Sequence, residues 1–227
     1  KVERGDVIRI GMSWWHGGAY QFAKYFRYDD PDMCWFQGDF SSLDATIKFQ
    51  LLMLYSYSAK YYYRTGGDEA LYNYLLGKSA IHLSAKVTHV YGDVWRYMFG
   101  AMPSGAYETS HGDSWIVSLL YFTYFLMMTV KCPSRSEEII DSVVNYYTMI
   151  SVYGDDSVLG TPRSLSSLIN INSFSSFCHD FFDMNMRDLE RFDNFLAIPN
   201  MRTGELSRPG VVFLQRSFID SSFVDTV

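Results

Sequence analysis

The chain has 227 residues and a mass of 26.2 kDa, and 48% of its residues are apolar against 19% charged. This composition allows one large domain or two small ones with a sizeable core, and it excludes a disordered or low-complexity scaffold. The formal net charge of −6, from 19 Lys and Arg against 25 Asp and Glu, counts by itself against a freestanding nucleic-acid binder, because such proteins usually carry a basic surface.

The cysteines and the first residue bear on the cellular context. Cys34, Cys132 and Cys178 are odd in number and far apart in the sequence. This spacing argues against a disulfide framework and against a cysteine-based zinc site, and it favours a reducing compartment. The sequence opens on Lys1 without a signal-peptide pattern, so we expect it to be an excerpt from a longer polypeptide.

Three segments with polar interruptions are predicted to be helices. Residues 42–63 have apolar side chains spaced by three and four positions, and residues 71–76 continue as a short helix that we expect to end before Gly77. Residues 137–147 open with two glutamates, which suit the positive end of a helix dipole.

A fourth helical segment, residues 114–130, runs for 17 residues without a charge. A membrane-spanning helix needs roughly 20 predominantly apolar residues. The run is slightly short, contains Ser, Thr and Tyr, and is followed by Lys131. We therefore favour a buried core helix over a membrane span, with a membrane anchor as the open alternative.

Short runs of apolar, β-branched or aromatic residues between the helices are predicted to be strands. They cover residues 33–36, 148–153, 157–159 and 211–214. Strands and helices alternate without the regular rhythm of a doubly wound parallel sheet. The sequence therefore predicts an α+β fold in which helices pack on one face of an antiparallel sheet.

The sharpest local signal is the Gly154-Asp155-Asp156 sequence between two apolar runs. Gly tolerates unusual backbone angles and Asp favours turns, so the simplest interpretation is a tight hairpin turn. The functional interpretation is a turn that presents adjacent carboxylates to divalent cations, which prefer oxygen ligands. A string this short leaves both interpretations open.

Two further segments carry candidate ligands. Asp39 follows the first predicted strand, and Asp44 lies near the start of the first helix. Asp44 is either an exposed acid favoured by the helix dipole or a carboxylate that meets a ligand beside Asp39. After the Pro-Ser-Gly loop within residues 102–110, Thr109 and Asp113 are four positions apart and would share one helical face.

In this order, the three segments resemble the palm motifs of viral RNA-dependent RNA polymerases of the picornavirus-like supergroup. Residues 39–44 resemble motif A, residues 102–114 resemble motif B, and residues 153–156 resemble motif C. Ser157 is similar to the Gly-Asp-Asp-Ser form of the partitivirus and picobirnavirus branch. Residues 1–10, with Lys and Arg, are similar to the basic motif F of the fingers, and residues 212–216 resemble the motif E hairpin.

The resemblance implies a polymerase palm. Residues 1–32 would be a fingers-derived segment with motif F, and residues 33–227 would be the palm with motifs A to E and a fingers insertion at about residues 60–100. The implied partners are an RNA template and primer, NTPs, and the missing fingers and thumb segments of the same polypeptide, without a stable membrane span. The implied location is the host cell cytoplasm, in a replication complex or a virion.

The resemblance also implies an activity and assigns residues to it. The activity would be template-directed RNA synthesis in viral replication and transcription, by nucleotidyl transfer from NTPs to an RNA 3′-hydroxyl with two Mg²⁺ or Mn²⁺ ions. Asp39 and Asp155 would bind the ions, with Asp156 as an auxiliary ligand. The residues assigned to the ribose and nucleotide are Asp44, Ser104, Gly105, Thr109 and Asp113, and those assigned to the triphosphate are Lys1, Arg4 and Arg9.

The sequence departs from the family pattern at two functional positions. Asp113 stands where motif B often has Asn, which puts the contact to the sugar in doubt. Motif D usually offers a Lys as proton donor to pyrophosphate, yet no Lys follows Lys131. His179, Arg187 and Arg191 are the candidate substitutes, and the sequence does not choose among them.

Two other functions stay open at this point. A reverse transcriptase also uses a Tyr-x-Asp-Asp hairpin, but it typically has a bulky aromatic residue where Asp44 stands, so Asp44 favours ribonucleotides. A non-catalytic module that binds a cation or RNA would use the same aspartates to hold a structural ion.

Overall fold

The computed structural model describes residues 7–58, 67–90, 93–98, 100–102, 109–200, 202–203 and 205–219. Its helices are α1 (Gly18–Tyr25), α2 (Leu43–Thr46), α3 (Phe49–Ser58), α4 (Glu69–Ser84), α5 (Thr109–Lys131), α6 (Ser136–Val144) and α7 (Ile171–Phe182), with a 3-10 turn at Pro133–Arg135. Its strands are β1 (Met33–Phe40), β2 (Ala85–Val90), β3 (Asp93–Met98), β4 (Met149–Tyr153), β5 (Asp156–Pro162), β6 (Met186–Phe192), β7 (Ile198–Pro199), β8 (Leu206–Arg208), β9 (Val212–Phe213) and β10 (Arg216–Ser217).

A four-stranded antiparallel sheet in the order β4-β5-β1-β6 forms the centre of the fold. The short strands form three separate antiparallel pairs, β2 with β3, β7 with β8 and β9 with β10. The predicted α+β class with an antiparallel sheet is confirmed. The predicted strands at 33–36 and 157–159 were too short, because the pleated pairing of β1 with β5 continues on both sides of the apolar runs.

One face of the sheet is covered by α5 and α7. Alternate residues of the strands point to this side, among them Phe36, Val152 and Leu159, and they pack against aromatic side chains of the two helices such as Tyr121 and Phe174. The rings of Tyr121 and Phe174 are stacked with their centroids 3.7 Å apart. This alternation is what a sheet buried against helices requires.

The opposite face of the sheet has its own apolar cluster. Trp35 and Val158 point to this side, where α1 contributes Phe22 and Phe26, and the C-terminal segment contributes Phe213. Both faces of the sheet therefore carry an apolar cluster, and polar side chains reach solvent at the strand ends and along the edge strand β6.

Helix α5 was predicted as the charge-free core helix. Within the part of the chain that the structure describes, it is the one helix long and apolar enough to cross a membrane. Its buried residues, including Ile116, Val117 and Leu120, belong to the cluster that covers the sheet. The helix thus packs as a core element, as the favoured interpretation of the sequence requires.

Three helix predictions need correction. The helix predicted at residues 137–147 ends at Val144, and Tyr146 beyond it has a φ of 58°. The helix predicted at residues 42–63 is interrupted after Thr46, because Ile47 takes an extended conformation and Lys48 forms an antiparallel bridge with Gly100; its residues from 59 on lie outside the described ranges. The short helix predicted at residues 71–76 continues through Gly77 to Ser84, since a single Gly inside a helix is tolerated at a cost of about 1 kcal/mol.

Candidate active site

Asp39 lies near the C-terminal end of β1, directly opposite Arg187 on β6. The register between the two strands shifts just before this pair, and Asp188 in the irregular part of β6 has a φ of 52°. The guanidinium of Arg187 donates to Asp39 Oδ2 from Nε at 2.8 Å and from Nη2 at 2.7 Å. Directly opposed residues of opposite charge attract one another across strands, so this irregularity aims Arg187 at the carboxylate.

The Gly154-Asp155 turn joins β4 to β5 as a two-residue loop, since Tyr153 pairs with Asp156. Gly154 has a φ of 63°, a conformation that glycine adopts at little cost. Its backbone N–H donates to the Ser114 hydroxyl at 2.7 Å, and that hydroxyl donates to the carbonyl of Ser110 at 2.6 Å. Helix α5 therefore holds the turn in place through one buried serine.

Asp39 and Asp155 lie at the same end of the sheet, because Gly38 pairs with Ser157 just after the turn, although 116 positions separate the two aspartates in the sequence. Burial raises the pKa of Asp155, and the negative charge of the neighbouring Asp39 carboxylate raises this pKa further. The positive charge of Arg187 acts in the opposite direction on the same pKa. Two carboxyl groups so close disfavour double ionisation unless a cation joins them.

Asp156, the second aspartate of the turn, is held by the C-terminal hairpin. Its Oδ2 accepts the backbone N–H of Leu214 at 2.6 Å. Leu214 and Gln215 join β9 to β10, and both have positive φ, 52° and 58°. Burial raises the pKa of Asp156 to about 6; the bond from Leu214 lowers this pKa, and the charges of Asp39 and Asp155 raise it.

A buried hydroxyl chain fixes the strands beneath the turn. Tyr121 on α5 and Ser157 on β5 are hydrogen-bonded through their oxygens at 3.0 Å, and Ser157 donates to the carbonyl of Gly38 on β1 at 3.1 Å. Gly38 is the residue next to Asp39. The chain therefore connects the core helix to both strands that carry the aspartates.

Three of the residues assigned to the ribose and nucleotide, Asp44, Thr109 and Asp113, belong to α2 and α5, two helices that contact each other. Asp44 is half-buried in the first turn of α2, and the backbone N–H of Met102 donates to its carbonyl at 2.6 Å. Thr109 begins α5, and Asp113, one turn later, is 6% exposed. The structure thus brings these parts of motifs A and B together, and the contacts to a sugar stay a prediction.

Of the residues assigned to the triphosphate, the structure describes only Arg9. Lys1 and Arg4 lie outside the described residues, as do Ser104 and Gly105 of the motif B loop. Arg9 is 8% exposed; its Nε donates to the Ser151 hydroxyl at 3.0 Å, and its guanidinium lies 4.5 Å from the centroid of the Tyr25 ring. In this position Arg9 stabilises the packing of α1 on β4, and its contact with a triphosphate stays a prediction.

The three candidate substitutes for the motif D lysine are separated by their contacts. Arg187 contacts Asp39, whereas Arg191 binds Asp193 at 3.2 Å and His179 is paired with Asp180 at 3.2 Å. Of the three, Arg187 is the one that reaches the paired carboxylates. The sequence alone could not single out Arg187, because its contact with Asp39 depends on the register between β1 and β6.

The donor chemistry of the site fits divalent cations. Asp39 and Asp155 offer adjacent carboxylate oxygens, the ligand type that Mg²⁺ prefers, and their mutual repulsion is a reason to bind a cation. Across the described residues, however, no three or more His, Cys, Asp or Glu side chains are grouped as a preformed metal site. Arg187 engages Asp39 and Leu214 engages Asp156, so the assignment of all three aspartates as metal ligands stays a prediction.

Comparison with known proteins identifies the family. The family model described as "Viral RNA-dependent RNA polymerase" matches residues 6–225. The chain belongs to this family. No curated protein matches the sequence with significance.

Solved structures of viral polymerases share the fold. A Sicinivirus 3Dpol RNA-dependent RNA polymerase matches with a TM-score of 0.62 and 18% identity over 96% of this chain and 40% of its own. The polymerase of a human picobirnavirus matches with a TM-score of 0.54 and 15% identity over 89% of this chain and 37% of its own, and its insertion-loop deletion mutant matches with a TM-score of 0.54 and 16% identity over 80% and 31%. The chain thus spans two fifths or less of the length of these polymerases, and the resemblance inferred from the motifs is confirmed.

Proposed function

We propose that this chain is the catalytic palm of a viral RNA-dependent RNA polymerase and transfers nucleotides from NTPs to an RNA 3′-hydroxyl under the direction of an RNA template. The observation that carries the proposal is the convergence of the Asp39 and Asp155 carboxyl groups at one end of the sheet. The family membership supports the reaction class.

Nucleotidyl transfer builds negative charge on the attacking and leaving oxygens, and preorganised charges are the main means of stabilising it. When bound, two divalent cations stabilise that charge. Asp39 and Asp155 are the residues that would hold them, and Asp156 keeps the turn attached to the β9–β10 hairpin through Leu214.

Arg187 adds an exposed positive charge to the site. It is largely exposed and holds Asp39 through two hydrogen bonds that a bound cation would replace. A guanidinium binds phosphate oxygens in a fork geometry, so the released Arg187 suits the triphosphate or the departing pyrophosphate. Because a guanidinium stays protonated, we assign Arg187 an electrostatic role and not that of a proton donor.

Asp44 supports selection of ribonucleotides. A carboxylate can accept a hydrogen bond from a 2′-hydroxyl, and a site built around that bond disfavours a deoxynucleotide, which leaves the carboxylate without a donor. Asp44 therefore favours RNA synthesis over reverse transcription.

The remaining segments of the polymerase complete the proposal. Since the chain spans 31–40% of the length of the matching polymerases, we propose that fingers and thumb segments of the same polypeptide supply the rest of the RNA channel. The proposed partners are therefore an RNA template, a primer and NTPs, and the proposed location is the host cytoplasm. The division into residues 1–32 and 33–227 stays part of this proposal.

The test is nucleotide incorporation on an RNA template by the full polypeptide that contains these residues. Asp155→Asn should lower the rate by at least a hundredfold, whereas Asp180→Asn, a matched change at an exposed acid of α7, should leave it unchanged. NTPs should be used in preference to dNTPs. Equal activity of the two variants would contradict the assignment, and a preference for dNTPs would favour a reverse transcriptase.

A further inference from the structure

A pocket of about 670 Å³ lies beside the edge strand β4, at the opposite end from the Gly154-Asp155 turn. Met149, the first residue of β4, forms part of its wall, and Tyr153 at the turn is four positions further along the strand. At about 3.3 Å per residue, the pocket is about 13 Å from the candidate active site along the strand. The two sites are therefore separate.

The chemistry of the pocket is aromatic and basic. Four tyrosines line it, Tyr20 and Tyr25 from α1 and Tyr146 and Tyr147 from the segment before β4, together with two cationic side chains. Among the described residues that line the pocket there is no Asp or Glu. The chain as a whole has a net charge of −6, whereas the side chains that line the pocket carry two positive charges and no negative charge.

Three of the four tyrosines that line the pocket are exposed to solvent. Tyr20 is 58% exposed, Tyr146 is 41% exposed and Tyr147 is 43% exposed. Tyr146 has a φ of 58°, which is uncommon for a bulky residue and costs free energy that the surrounding structure must supply. Exposed aromatic rings in a concave surface are platforms on which nucleobases stack.

The cations are held next to these rings. The Arg27 guanidinium lies 4.7 Å from the centroid of the Tyr147 ring, and a 3.0 Å ion pair with Asp30 fixes its orientation. The ammonium of Lys24 lies 6.0 Å from the centroid of the Tyr20 ring. Tyr20 and Tyr147 thus each have a positive charge beside the ring, which is the arrangement that receives a base and its phosphate together.

We propose that this pocket is a second nucleotide-binding site, in which a base stacks on Tyr20 or Tyr147 and its phosphate binds Lys24 and Arg27. The volume suits one or two nucleotides, because small-molecule sites range from about 300 to 1,000 Å³. The nucleotide comes either from a free NTP or from a single strand of RNA that passes over the edge of β4. The proposal concerns binding alone and does not depend on the chemistry at Asp155.

The test is photo-crosslinking of the full polypeptide in an Asp155→Asn background, which prevents turnover. The two probes are 4-thio-UTP and an RNA octamer that contains 4-thiouridine, and mass spectrometry maps the modified peptides. We expect crosslinks in residues 17–27 or 145–149. If only the octamer crosslinks there, the pocket binds a strand of RNA. If 4-thio-UTP crosslinks there as well, the pocket also binds a free nucleotide.

Variants of exposed residues make the test specific. Tyr20→Ala should weaken binding of the probe at least fivefold, whereas Tyr20→Phe, which keeps the ring, should bind the probe like the wild type. Lys24→Gln should weaken binding of the probe and reduce the dependence of this binding on salt. Phe181→Ala, at an aromatic residue that is 62% exposed on α7, is the matched control and should have no effect. Crosslinks confined to other segments, or crosslinks in the pocket that none of these variants changes, would overturn the proposal.

Discussion

Ser114→Ala tests whether α5 positions the Gly154-Asp155 turn. In the protein the Ser114 hydroxyl accepts the N–H of Gly154 at 2.7 Å, and the substitution leaves that N–H without its acceptor. A buried donor without a partner costs about 1–3 kcal/mol. Because Gly154 is only partly buried, we expect a loss in the free energy of unfolding of about 1–2 kcal/mol, in the lower half of that range.

Ser118→Ala is the matched control on the same face of the same helix. The Ser118 hydroxyl donates at 2.7 Å to the carbonyl of Ser114, an acceptor that the helix backbone already uses. Losing this bond leaves no group unsatisfied, so the free energy of unfolding should change by less than about 0.5 kcal/mol.

The assay is urea denaturation of the two variants and the wild type, with the slope held in common. In a thermal scan the Ser114 variant should melt about 2–8 °C below the wild type, because each kcal/mol shifts the midpoint by about 2–4 °C in a chain of this size. RNA synthesis should fall for Ser114→Ala and not for Ser118→Ala. Equal stability and equal activity of the two variants would refute the role of this bond.

Three further predictions concern the charged groups of the site. Burial raises the pKa of Asp156 to about 6, so the folded protein holds a proton that the unfolded chain releases, and the free energy of unfolding falls as pH rises from about 4 to about 6. In the absence of divalent cations, Asp156→Asn should reduce this fall by up to about 3 kcal/mol in denaturation curves. An unchanged pH dependence would contradict the raised pKa. Arg187→Gln removes a charge that lowers the pKa of Asp155, so the acid limb of the pH–rate profile should move to higher pH. Arg191→Gln, at a guanidinium that binds Asp193, should leave the acid limb in place. Equal profiles of the two variants would refute the effect of Arg187 on Asp155. Asp113→Asn should leave ribonucleotide incorporation largely intact, and its loss would show that the pairing of motifs A and B is wrong.

The motifs predicted the turn, the strands beside it and the core helix, because each of these signals is local. Gly154, Asp155 and Asp156 have the composition of a tight turn, and the apolar runs on either side predicted two strands, which the structure shows as β4 and β5. The charge-free run before Lys131 predicted the core helix α5. In both cases the sequence pattern and the tertiary structure favour the same conformation.

The contacts between elements could not be predicted, because they depend on register. Arg187 meets Asp39 through an irregularity in the pairing of β1 with β6, and one position of slippage would turn its side chain to the other face. Leu214 reaches Asp156 because the two-residue turn Leu214-Gln215 takes positive φ without a glycine, and no residue in the sequence indicates such a turn.

Helix α7 was not predicted at all, since its Ser-rich and Phe-rich segment has no strong helix formers and is stabilised by packing on the sheet.

Binding of Mn²⁺ tests the central claim most directly. Electron paramagnetic resonance counts free Mn²⁺ in solutions of the wild type, Asp39→Asn and Asp155→Asn at neutral pH, with Asp180→Asn as the control. Each of the first two substitutions should weaken Mn²⁺ binding at least tenfold, and the control should bind Mn²⁺ like the wild type. Wild-type affinity in Asp155→Asn would contradict the account, because the cation would then be held somewhere other than between the two converging carboxylates.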